Sequence, residues 1–242
     1  MLQSRMRSSV ERLIHFYKMV RYLKYAANAA MPEVLSVNDK NALTIAAKLI
    51  LSGQAIAIPT DTIYGIAASA QNSEAVKQLY EIKRRDAKKP IAICVGNVSD
   101  VHLWGDTKHL QQEILESLLP GAVTIVLKRK DVLNPLLNPG VEEVGIRIPN
   151  CPFVQELAKI CDVPLALTSA NLSSEPSSLK ISEFSHLWPS LAAVFDGGAL
   201  LRREGSTVID LTQKGYFKII RDGSALDSTL SIVKKFGLIQ RH

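Results

Sequence analysis

The chain has 242 residues, 47% of them hydrophobic and 21% charged, which allows one large domain or two small ones around a sizeable core. No run approaches the roughly 18 uninterrupted apolar residues of a membrane span; the richest, Ala42 to Ile58, is broken by Thr44, Lys48, Ser52, Gly53 and Gln54. The net charge of +6 is concentrated in residues 1–31, where six Arg and Lys face Glu11 alone for a net +5, so any basic patch in the nearly neutral remainder must come from how its charges are arranged.

The leader, residues 1–31, is poor in acids and sets Leu13, Phe16 and Val20 at helical spacing. Those are features of a mitochondrial transit peptide, with a basic tail or an amphipathic helix lying on the body as the alternatives. The body starts at Pro32 and shows no internal boundary, so 32–242 reads as one domain. Asn38 or Asp39 is placed to cap a helix with Ala42, Ile45, Ala46, Leu49 and Ile50 on its apolar face, ending at Gly53. AIAIP (55–59) is a buried strand followed by a polar turn. Ser73 is placed to cap a second helix carrying Val76, Leu79 and Tyr80 inward, and IAICV (91–95) is another buried strand. A polar helix around His109 to Leu118 stops at Pro120-Gly121, and the strand VTIVLK (123–128) follows. GIRI (145–148) and LALT (165–168) flank a helix with Val154, Leu157, Ala158 and Cys161. AVF (193–195), TVIDL (207–211) and YFKIIR (216–221) are strand-like, and a last helix spans about Asp227 to Phe236. Alternating helices and strands, with some strands joined by short links, predict an α/β domain whose mixed, twisted sheet is flanked by helices.

Several chemistries leave no trace. Cys94, Cys151 and Cys161 form no C-x-x-C pair and the five histidines have no metal-ligand spacing, so no metal site is expected. Sparse thiols fit a reducing compartment. There is no G-x-x-x-x-G-K-[ST] loop, no strand-linked G-x-G-x-x-G and no G-x-S-x-G elbow. A bound nucleotide would have to be held by side-chain cations, hydroxyls and irregular backbone.

Four segments could do that. PTDTIYG (59–65) follows a buried strand and offers Thr60 and Thr62; it reads equally as a plain turn. IKRRDAKKP (82–90) sets Lys83, Arg84, Arg85, Lys88 and Lys89 against Asp86, a helix-capping cluster or a polyanion clamp. LTSANLSSEPSS (167–178) packs hydroxyls and amides at the carboxyl end of a strand, where α/β sheets bind ligands. In VGIRIP (144–149), Arg147 interrupts an apolar strand and needs a partner, either a ligand carboxylate or an acid such as Glu142 or Glu143.

Singly these are weak, but their order is specific. PTDTIYG, Lys83-x-Arg85, PGAVT (120–124), GIRIP (145–149), TSAN (168–171), GSTV (205–208) and IIRDG (219–223) together closely resemble the YrdC domain family of threonylcarbamoyl-adenylate synthases, from about Glu33 to Phe236. The resemblance implies an enzyme that converts L-threonine, bicarbonate and ATP with magnesium into threonylcarbamoyl-AMP and pyrophosphate. A separate transferase then modifies the tRNA adenosine next to the anticodon, so tRNA is met only indirectly. It implies an open cationic cleft with Lys83, Arg85, Ser169 and Asn171 at its centre. It further implies nucleotide contacts from Arg85, Lys89, Ser169, Ser177, Ser206 and Arg221, and threonine contacts from Thr62, Arg147 and the backbone near Leu167. Arg147 would grip the threonine carboxylate in bidentate fashion, while Lys83 and Arg85 screen the phosphates, with no covalent nucleophile. The chain departs from the family pattern at Cys94, Glu143, Asp222 and the Lys-Arg-Arg-Asp run, which bears on local contacts rather than on the activity. Cytosol and mitochondrion are both expected locations. The reading from another class is an RNA-binding module using the same basic cleft.

Overall fold

Ile56 and Ile58 point to one face of their strand and Ala57 to the other, yet all three are fully buried. That is possible only if the sheet is covered on both sides, and a computed structural model of the protein, describing residues 31–83, 90–172 and 175–241, shows how. The leader predicted as a transit peptide falls outside these residues, Met31 apart, as do Arg84 to Lys89.

The strands are β1 (Glu33–Ser36), β2 (Ile56–Ile58), β3 (Gly65–Ser69), β4 (Ala92–Cys94), β5 (Val123–Lys128), β6 (Glu143–Arg147), β7 (Leu165–Ser169), β8 (Ala193–Asp196), β9 (Thr207–Asp210), β10 (Tyr216–Arg221) and β11 (Ile239–Gln240). They form one mixed sheet in the order β1-β8-β2-β3-β7-β4-β6-β5-β9-β10-β11. The helices are α1 (Ala42–Leu51), α2 (Ser73–Lys83), α3 (Val101–Trp104), α4 (Gln112–Leu118), α5 (Pro152–Cys161) and α6 (Leu226–Lys235). Among the described residues no helix is long and apolar enough to cross a membrane.

Two apolar layers divide the strand residues by their alternation. Ala57, Ile66, Ala68, Ile93, Ala166, Val194, Ile125, Val144, Ile146 and Ile209 join Val76 and Leu79 of α2, Ile114 and Leu115 of α4 and Val233 of α6. On the opposite face Ile56, Ile58, Ala67, Cys94, Leu165, Ala193 and Phe195 pack under α1 and α5. This second layer takes no residue from β5, β6, β9 or β10. Residues of those strands that alternate with the first core, such as Thr124, Gly145 and Arg147, therefore face a side that α1 and α5 do not pack against. The site lies there.

Some local expectations are corrected. The first helix is not capped by Asn38 or Asp39: Asn41 holds the cap position without a side-chain bond, and the Asp39 carboxylate instead accepts Ser36 N at 2.9 Å. Its buried stripe is Ala42, Ala46, Ala47 and Ile50, with Ile45 and Leu49 half-buried at its flanks. The second helix is capped by Asn72 rather than Ser73, because Asn72 Oδ1 accepts Glu74 N at 3.0 Å and Ala75 N at 3.1 Å. Strands β1, β3 and β11 have no counterpart in the sequence reading. The helix Val101–Trp104 and the 3-10 turns Val98–Asp100 and Ile181–Ser190 were not expected either; the remaining helices and strands lie within a few residues of their predicted places.

Candidate active site

The turn between β2 and β3 is organised by Thr60. Its Oγ1 accepts Thr62 N (3.1 Å) and Ile63 N (3.2 Å) and donates to Ile63 O (2.8 Å), closing a hydroxyl-centred turn. Asp61 and Thr62 are thereby presented to Arg147, whose Nη2 lies 2.5 Å from Asp61 Oδ1 and 3.0 Å from Thr62 Oγ1. The Nε of Arg147 reaches Gly121 O at 3.4 Å. Arg147 is therefore paired with Asp61, not with Glu142 or Glu143. It ends β6, level with Cys94, on the face turned toward the Asp61 turn. The expected two-pronged grip on a ligand carboxylate is also not open, since both protons of Nη2 are engaged.

The second cluster gathers around Lys83 at the end of α2, only 2% exposed. Its ammonium donates to Ser169 O (2.6 Å), to Asn171 O and to Asn171 Oδ1 (3.1 Å), with Ser169 Oγ at 3.3 Å. Lys83 thus fixes the loop after β7 through its ammonium, and brings its positive charge there. Asn171 is held further by Nδ2 donation to Glu175 O at 2.5 Å. Gly65 and Ser169 are level in the β3–β7 ladder, Ala170 N donates to Tyr64 O, and Tyr64 N donates to Ser178 O. The Thr60–Ile63 turn and the Lys83 cluster are therefore joined by adjacent backbone.

The third cluster is Thr124, Ser206 and Arg221. Arg221 donates from Nε (3.1 Å) and Nη2 (2.8 Å) to Ser206 O, and from Nη2 to Ser206 Oγ at 3.1 Å. Ser206 Oγ also lies 2.7 Å from Thr124 Oγ1. Thr207 N donates to Ala122 O, next to the Gly121 that receives Arg147. Burial, and then the positive charge of Arg147, lower the Arg221 guanidinium below its ordinary value, so the two arginines feel one another.

Of the residues expected to bind, Thr62 and Arg147 touch directly, as do Lys83, Ser169 and Asn171, and as do Ser206 and Arg221. Ser177 lies beside Ser178, whose Oγ donates to Ala170 O, and its own carbonyl accepts Arg203 Nη1 at 2.8 Å. Leu167 sits mid-strand between Ala67 and Ala92, its side chain against Gly65 and the α1–α5 layer. Arg85 and Lys89 lie outside the described residues. Sequence reasoning missed Asp61 and Thr124. Asp61 stood in view inside PTDT, but only the pairing of β6 with β5 and β4, and the course of the turn, bring it to Arg147.

Cys94 is buried behind this site, and burial pushes its thiol up to about 12, the nearby Arg147 opposing that rise. Burial raises Cys151 as well, whose Sγ rests against Pro59 O at 3.8 Å.

Known proteins share this chain's sequence and fold. The Sua5/YciO/YrdC family model, described as "Telomere recombination", matches residues 48–223. The chain belongs to the Sua5/YciO/YrdC family. It is 45% identical over 223 residues to a bovine (Bos taurus) protein named threonylcarbamoyl-AMP synthase, covering 90% of this chain and 80% of that one. Pyrococcus abyssi Sua5 in complex with L-threonine superposes with a TM-score of 0.78 at 26% identity, over 88% of this chain and 63% of that one. Escherichia coli YciO shares the fold, with a TM-score of 0.70 at 19% identity, over 80% of this chain and 95% of that one. The architecture of this chain, a single α/β domain with a mixed sheet, matches those structures over most of its length. Family membership does not favour the RNA-binding alternative.

Proposed function

We propose that the chain is a threonylcarbamoyl-AMP synthase, which joins L-threonine, bicarbonate and ATP into threonylcarbamoyl-AMP and pyrophosphate for modification of tRNA. The likeness to a synthase along nine-tenths of the chain carries the reading, and the grouping of the motif residues agrees with it. In this reading Arg147 takes the threonine carboxylate through Nη1 while Thr62 hydrogen-bonds the amino acid's polar atoms. Ser206 and Arg221 take ATP oxygens, with Arg85, Lys89 and Ser177 as further nucleotide contacts. Lys83 sets the Ser169–Asn171 loop at the join, where Ser169 meets the nucleotide. The neutral threonine amine captures bicarbonate with loss of water, and the resulting carbamate attacks the α-phosphorus and expels pyrophosphate. The carbamate and ATP are both anionic where they meet, so fixed cations and alignment are what the protein must supply. Among the described residues no group of three or more His, Cys, Asp or Glu could hold a metal. Magnesium in this reading arrives with ATP, on its phosphates, as part of the substrate. The threonylcarbamoyl group passes to a separate tRNA transferase, and the leader directs part of the protein to mitochondria, the rest remaining cytosolic. The basic, acid-poor composition of residues 1–31 supports that last step.

Pyrophosphate release from protein, ATP, threonine and bicarbonate tests the reading. Release must require both threonine and bicarbonate. Salt-sensitive tRNA binding without turnover would replace the synthase with an RNA-binding module. Imaging a tagged chain with and without residues 1–31 tests the leader.

A further inference from the structure

The Asp61–Arg147 pair leaves one atom of each charge without a protein partner. Asp61 uses Oδ1 on Arg147 Nη2, and Arg147 uses Nη2 on Asp61 and Thr62 and Nε on Gly121 O. Among the described residues, Asp61 Oδ2 and Arg147 Nη1 make no hydrogen bond. The two side chains are only 12% and 8% exposed, yet neither Oδ2 nor Nη1 is among the fully buried unpartnered atoms of the described residues, so each keeps a narrow opening through which a ligand can reach it. Charged groups so deeply placed normally have every donor and acceptor satisfied. The turn behind Asp61 is fixed by Thr60 Oγ1, which accepts from Thr62 N and Ile63 N and donates to Ile63 O, so the carboxylate is held in place before any ligand arrives.

An uncommitted N–H on a guanidinium and an uncommitted oxygen on the carboxylate paired with it have the two polarities of a small zwitterion: the first donates to a carboxylate and the second accepts from an ammonium. Taking the synthase reading as its basis, we infer that Asp61 binds the α-ammonium of the amino-acid substrate, so that the Asp61–Arg147 pair selects α-amino acids over hydroxy acids of the same shape. Because Oδ1 is neutralised by Nη2, the pair does not repel the incoming carboxylate. Asp61 is then a specificity-determining residue as well as the group that orients Arg147.

The test is a cycle between protein and ligand. The full chain and its Asp61→Asn variant are titrated calorimetrically with L-threonine, L-threoninamide, which keeps the ammonium, and (R)-3-hydroxybutanoate, which lacks it. In the variant, L-threonine and L-threoninamide are expected to bind about tenfold more weakly, the scale of a lost charge-assisted bond, while (R)-3-hydroxybutanoate holds or improves. Threonine binding unchanged or tightened in Asp61→Asn would mean that Asp61 merely competes for Arg147, and would overturn the inference. Equal losses for all three ligands would reduce Asp61 to scaffolding and overturn it too. The unaltered protein gives an arm free of folding effects: it must prefer L-threonine to (R)-3-hydroxybutanoate by about tenfold or more, and equal affinities would sink the inference. Threonine-dependent pyrophosphate release alongside those equal affinities would leave the synthase reading standing, whereas loss of both would remove the two together.

Discussion

Gly65 and Ser169 stand level on adjacent antiparallel strands, and that pairing ties the Thr60–Ile63 turn to the loop held by Lys83. Gly65 has no room for a side chain: a Cβ there would lie 2.7 Å from Leu167 Cδ1 and 3.1 Å from Thr168 O. The leucine can shift, but the Thr168 carbonyl belongs to the ladder itself. Gly65→Ala is therefore expected to destabilise the protein by about 1–3 kcal/mol, the range of overpacked cores. Urea unfolding should show a lower midpoint at unchanged slope. Activity should fall by more than stability accounts for, because both flanking clusters move with the strand pair.

Lys83 places a buried positive charge on two backbone carbonyls and one side-chain amide. Lys83→Met keeps the length and removes the donor, leaving those oxygens unsatisfied at a cost of about 1–3 kcal/mol each if no water enters. Lys83→Arg should not rescue it, since a planar fork cannot point three protons at the acceptors of one small loop. Pyrophosphate release is expected to drop about 100-fold or more in both variants, on the scale seen when a preorganised polar group is lost. Near-normal turnover in Lys83→Arg would show that only the charge matters.

The thiol of Cys94 gives a pH dependence with a definite sign. Burial raises it from 9.0 to about 12, so between those values the folded state keeps a proton that the unfolded state loses. The contribution is complete below pH 9 and is lost as pH climbs toward 12. Stability should fall with alkaline pH, and Cys94→Ala, though less stable at pH 7, should show a shallower fall. Cys161, raised to about 11 by burial, adds a slope of the same sign. Urea midpoints at pH 8, 9 and 10 for the two proteins check this; parallel slopes would refute it.

The chemistry-bearing residues were legible chiefly as an ordered set of motifs, and the strands chiefly where large apolar residues run together. Ile56–Ile58 shows itself because a strand covered on both faces needs apolar residues at every position, and Val123–Lys128 because its β-branched apolar residues run nearly unbroken. Gly65–Ser69 did not, because GIAAS is small and its place is set by Ile58, Ser169 and Leu165 across two ladders. Arg147 announced itself as a cation in an apolar strand, yet its partner was sought among its sequence neighbours. Asp61 lies 86 positions away, a pairing that only the tertiary fold creates. Lys83 was read as part of a capping cluster or a polyanion clamp for the same reason: the carbonyls it satisfies, at the end of β7 and in the loop after it, lie 86 and 88 positions away.

Arg221 separates nucleotide binding from threonine binding. It holds Ser206 by three hydrogen bonds from Nε and Nη2, while Ser206 Oγ touches Thr124. Arg221→Lys retains the charge but not the planar pair of donors that fixes Ser206 O. In the synthase reading, the ATP KM should rise about tenfold, the loss of one charge-assisted contact. The threonine KM should change little, because Asp61 and Thr62 still fix Arg147. Replacing the residue by glutamine also removes the charge that Arg147 opposes, so Arg221→Gln should raise the ATP KM further than lysine does. Initial rates with each substrate varied in turn make the comparison. Equal increases in both KM values would place Arg221 in the scaffold common to the whole site rather than in its nucleotide half.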